Sequence, residues 1–84
     1  MLTTKELFER ISSKCGNLDT SAVKGVYTAM ARVMLEELKN GECIRFPKLG
    51  TFEVRSYSEK KSKTGFIKYI YFLPEGTLDF YINS

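Results

Sequence analysis

The 84-residue chain contains no histidine. That removes the most frequent general base and a frequent zinc ligand together. No Ser-His-Asp or Cys-His nucleophile can be assembled without it. Only two cysteines are present, Cys15 and Cys43, and neither belongs to a CxxC pattern. A structural zinc site is therefore not expected. Each cysteine falls at an apolar position of its segment, which predicts buried free thiols rather than a disulfide, in keeping with a reducing compartment. There is no long apolar run, and charges begin at Lys5. Neither a signal peptide nor a transmembrane segment is expected. The chain also lacks a phosphate-cradling glycine loop and a carboxylate pair placed for acid–base work. The expectation is a non-enzyme with no cofactor, no metal and no membrane partner.

What is present is small and mildly basic. A chain of 84 residues with 43% hydrophobic content predicts a single domain over residues 1–84. Alone it would be marginally stable, and oligomerisation is a simple remedy. The net charge is +3 and the isoelectric point near 8.9. Between Arg55 and Lys68 the charge is +4, so the rest of the chain sums to −1. Localised basic charge of this kind is the electrostatic footprint of a polyanion binder, although a solvated lysine-rich loop has the same composition.

Periodicity divides the chain into α-α-β-β-β-α. Thr3-Thr4-Lys5-Glu6 has capping-box form, and Leu7, Phe8, Ile11 and Cys15 recur at helical spacing up to Gly16. This predicts a first helix over residues 4–15. Asp19 is a good N-cap for a second helix, whose stripe of Val23, Val26, Tyr27, Met30, Val33, Met34 and Leu38 is too wide for one short helix to cover. Part of it should face a second subunit. From Glu42 the period changes to two. Ile44 and Phe46 oppose Arg45, and after a turn from Pro47 to Gly50, Phe52 and Val54 oppose Glu53, Arg55 and Tyr57. Gly50 suits a position that a Cβ would obstruct. Lys63-Thr64-Gly65 fits a hairpin turn, and Phe66 to Leu73 returns as a strand. Pro74 ends it, and Glu75 to Ile82 forms a short last helix.

Pro47-Lys48-Leu49-Gly50-Thr51-Phe52-Glu53-Val54-Arg55, followed by Phe72-Leu73-Pro74-Glu75-Gly76-Thr77-Leu78, resembles the two landmarks of the HU/IHF family of bacterial histone-like DNA-binding proteins. The resemblance covers nearly the whole chain. It implies an α+β fold: two N-terminal helices, a three-stranded antiparallel sheet with a short β-ribbon arm, and a short C-terminal helix, built as an intertwined dimer. It implies a nucleoid-associated protein of the cytoplasm, or a phage-encoded one acting in the host cytoplasm. Its partners would be double-stranded DNA and a second copy or a related HU-like subunit. Leu49, Phe52, Ile70 and Phe72 would fill the dimer core. Arg45, Lys48, Arg55, Tyr57, Lys60, Lys61, Lys63 and Lys68 would contact DNA, with little sequence preference, condensing or bending it through the minor groove.

The departures temper this. Leu49 stands where the family usually has phenylalanine. The segment from Arg55 to Phe72 is shorter than usual, predicting stubby arms. No proline lies between Pro47 and Pro74, so a wedge residue at the tip is missing. Glu75 and Asp79 replace the lysines that many members carry on the last helix, and these acids would repel phosphate. The rival expectation is a protein-interaction or virion-assembly module on the same scaffold, with weak or no DNA binding.

Overall fold

Short polar side chains start both long helices where the spacing predicts. In the computed structural model, which describes residues 1–84, helix α1 spans Thr4–Lys14. The Thr3 hydroxyl accepts the Glu6 N–H at 3.1 Å and donates to the Glu6 carboxylate at 2.9 Å. Helix α2 spans Thr20–Lys39. The Asp19 carboxylate accepts the backbone N–H and the hydroxyl of Ser21, both at 2.9 Å. Those two bonds hold the Asp19 carboxyl below its ordinary value.

The chain divides into two compact units, Met1–Val33 and Met34–Ser84. In the first, Val23 is the one buried apolar side chain of the molecule, 5% exposed, and the rings of Phe8 and Tyr27 lie 5.3 Å apart. Val26, Tyr27, Met30 and Val33 remain exposed. Cys15 and Cys43 are both free and exposed, which corrects the expectation of buried thiols. An apolar position predicts burial only where the chain closes its own core. This chain does not, and Cys15 sits at the α1 C-cap while Cys43 lies outside any helix or strand.

The second unit holds strands β1 (Ile44–Phe46), β2 (Gly50–Ser58) and β3 (Phe66–Pro74), then helix α3 (Gly76–Ile82). The strands form one antiparallel sheet in the order β1-β2-β3. The pairing runs from Gly50↔Pro74 to Ser58↔Phe66, so β2 and β3 make a ribbon nine residues long. Pro74 donates no ladder bond, and its place at the end of an edge strand costs nothing there.

The two faces sort by chemistry. One carries Phe46, Phe52 and Phe72, with ring centroids 5.6 Å apart for Phe46–Phe52 and 4.8 Å for Phe52–Phe72. Val54 and Ile70 continue this face and line an open cleft with Leu35 and Leu38 of α2. The other face carries Arg45, Glu53, Arg55, Tyr57, Tyr69 and Tyr71. This is the parity that the period-two pattern predicts. The apolar face is left open, with Ile70 54% and Phe72 37% exposed, and Leu49 in the turn before β2 is 51% exposed.

Candidate nucleic-acid interface

The ribbon brings three of the eight sequence-predicted cations and tyrosines together at its tip. Glu59 donates its N–H to the Gly65 carbonyl at 2.9 Å and accepts the Lys61 N–H on its carboxylate at 3.2 Å. The Ser62 hydroxyl donates to the Phe66 carbonyl at 2.7 Å, and the Thr64 hydroxyl donates to the same oxygen at 3.1 Å. Gly65 takes φ +82°, which closes the loop. This network uses Glu59, Ser62 and Thr64 and leaves the exposed side chains of Lys60, Lys61 and Lys63 without an ion pair.

Behind the tip, the polar face presents Arg55 and Tyr57. The Arg55 guanidinium carbon stands 3.7 Å from the centroid of the Tyr71 ring, a cation–π contact. Its Nε and Nη2 donate to the Glu53 carboxylate at 3.2 and 3.1 Å. Partial desolvation works against the charge on Arg55, but the hydrogen bond and charge of Glu53 outweigh it and the pKa rises. The rings of Tyr57 and Tyr69 lie 6.0 Å apart.

At the root of the sheet, Arg45 lies on the same face as Arg55. Its Nε donates to Oε1 of Glu75 at 2.8 Å, and its Nη2 stands 2.7 Å from the same oxygen in an ion pair. Oε2 of Glu75 accepts the backbone N–H of Lys48 at 3.1 Å. Lys48 adopts φ +72°, unusual for a residue with a Cβ, and this bond helps hold it there. Glu75 is thus an acid already paired with Arg45. It also leaves its own helix uncapped, since no side chain caps α3.

The Arg45 hydrogen bond is the main cause of a Glu75 carboxyl held below its ordinary value of 4.5, with the Lys48 N–H and the Arg45 charge adding to it against partial desolvation. A depressed folded value contributes stability that is complete above the ordinary carboxylate range and is lost as pH falls through the folded value. Arg45→Ala is expected to return the Glu75 midpoint toward its ordinary value, read from the carboxyl carbon shift in an acid titration. An unmoved midpoint would show that the guanidinium is not the cause.

Lys68 is set apart. It pairs with Ser56 on the apolar side and lines the cleft with Leu35, Leu38 and Ile70. The structure does not bring it together with Arg55, Tyr57 and the tip lysines. The partnerships of Glu53 and Glu75 differ in how far a sequence discloses them. Glu53 and Arg55 are two apart on one strand, so their shared face was readable. Glu75 and Arg45 are thirty residues apart, and no local pattern joins them.

A family model described as an HU domain fused to wHTH, Ig, or glycine-rich motif matches residues 1–70. The chain belongs to this HU family. Among solved structures, a point mutant of HU from Thermotoga maritima is 29% identical, with a TM-score of 0.75 over 95% of this chain and 97% of that one. No curated protein matches the chain. The HU fold accounts for the element order and the antiparallel three-stranded sheet. HU proteins are histone-like and DNA-binding, and no helix here is long and apolar enough to cross a membrane.

Proposed function

We propose that this HU-family chain is an architectural, non-enzymatic protein that binds double-stranded DNA with little sequence preference. The observation that carries the reading is the ribbon: nine paired residues on each strand, ending in a closed tip with Lys60, Lys61 and Lys63 exposed and unpaired. A basic arm of this kind reaches along a groove and neutralises phosphates, which do not report sequence. Arg55, Tyr57, Arg45 and Lys48 on the face and turn behind it extend the contact along the backbone. Lys68, on the other side, contributes only where the duplex wraps the ribbon edge. Without a proline to wedge between bases, bending rests on charge neutralisation rather than intercalation.

The functional unit is a dimer, with residues 1–84 acting as one domain in each subunit. The open apolar face supports this, because Leu49, Ile70 and Phe72 are too exposed for a stable single chain. A second copy seated there covers Leu49, Phe52, Ile70 and Phe72 and sends two arms toward one duplex. The site of action is the nucleoid, in the cytoplasm.

The test is a titration of the purified chain against a short duplex at two salt concentrations, with the mass measured free and bound. The expected result is a dimer whose affinity falls steeply as salt rises, by about 0.9 in log–log slope for each neutralised phosphate. A monomer, or a protein that ignores DNA at low salt and co-purifies with another protein, would overturn the reading.

A further inference from the structure

The polar face of the sheet carries two arginines, and each already holds a carboxylate. Arg45 is bound through two nitrogens to Glu75, and Arg55 through two nitrogens to Glu53. The three tip lysines have no such partner. The division is sharp, because those two pairs are the only ion pairs in the chain. Both guanidiniums nonetheless remain open to solvent, 69% for the Arg45 side chain and 42% for that of Arg55. A phosphate that takes the Nε–Nη2 edge of either one must displace the carboxylate already there, and one that takes the remaining N–H groups meets a guanidinium whose charge is already paired.

From this arrangement we infer that Glu53 and Glu75 are intramolecular stand-ins for phosphate that lower the affinity of the sheet face for DNA. The inference rests on the DNA-binding reading above. The tip lysines make the first contacts, and each arginine gives a phosphate its full charge only by exchanging its carboxylate for a phosphate oxygen. The exchange nearly conserves charge-assisted hydrogen bonds, so it adds little affinity and leaves the complex easy to release. Glu75 is the better anchored of the two. Its second oxygen holds the Lys48 N–H, and its own N–H donates to the Leu49 carbonyl at 2.9 Å. Glu53 stands on an open strand face with Arg55 as its only side-chain partner.

Glu75→Gln and Glu53→Gln test the idea separately. Glutamine keeps a carbonyl oxygen for the Lys48 N–H at position 75, and at position 53 no backbone bond is at stake. Each variant is expected to bind a short duplex more tightly at about 0.1 M salt, by roughly eightfold for each arginine that gains a phosphate, and to steepen the salt slope by about 0.9 per contact. Adding Arg45→Gln to Glu75→Gln should cancel the gain. Weaker binding with an unchanged slope would mean that the carboxylates only brace the fold, and unchanged affinity would mean that the arginines never meet phosphate. Either result overturns the inference. Should Glu75→Gln not fold, Glu53→Gln decides alone. A wild-type chain that does not bind duplex would instead defeat the parent reading, so the two failures are distinguishable.

Discussion

Gly50→Ala is expected to unfold much of the population. Gly50 is buried at the start of the central strand, paired on one side with Phe46 and on the other with Pro74. Its φ is +157°, in the region that side chains avoid. A Cβ there would collide with the Leu73 carbonyl oxygen and stand 2.7 Å from the Phe72 ring. The carbonyl is backbone in a paired strand, and the ring is wedged against Phe52. Neither can give way without disturbing the sheet. Backbone strain of about 1–3 kcal/mol and a similar overpacking cost add to roughly 2–6 kcal/mol. A chain of this length holds only about 4–13 kcal/mol in all. Gly65→Ala is the informative companion. Gly65 also has positive φ, +82°, but nothing lies within 4 Å of its would-be Cβ. It should bear the strain alone, about 1–3 kcal/mol. Thermal unfolding and sizing of both variants check this. Midpoints that fall equally would show that the crowding at Gly50 is irrelevant.

That position also shows what a single sequence can and cannot disclose. Gly50 was recognisable as a site of close approach because a turn and an alternating strand flank it. What approaches it, the Leu73 carbonyl and the Phe72 ring, depends on a strand register twenty residues away. Likewise Asp19 and Thr3 were legible as caps, since a cap reaches only two or three residues along the chain. The two faces of β2 were legible because the period is two. The exposure of Cys15 and Cys43 was not. Burial is decided by what covers an apolar position, and Val23 is the one apolar side chain that this chain buries by itself. Lys68 is the intermediate case. Its parity with Phe72 and Ile70 was written in the sequence, yet its charge placed it in the expected binding set with residues of the opposite face.

The tip lysines give the largest expected effect on binding. Lys60→Gln, Lys61→Gln and Lys63→Gln together remove three cations per subunit, and six from the two-armed dimer proposed above. The fold should not notice, because the tip is closed by Glu59, Ser62, Thr64 and Gly65 and by no lysine side chain. Each neutralised phosphate gives a log–log slope of about −0.9, so at 0.1 M salt it is worth about 0.9 decade relative to 1 M. If half of the six lysines lie on phosphate at once, the triple variant loses about 500-fold in duplex affinity, and its salt slope shrinks by about 2.7. Both numbers come from one titration series, and they must change together. A large loss with an unchanged slope would indicate a damaged arm rather than missing charge. A loss under about threefold would move the anchor of the complex from the arms to the sheet face. There Arg45 and Arg55 carry charges already paired with Glu75 and Glu53.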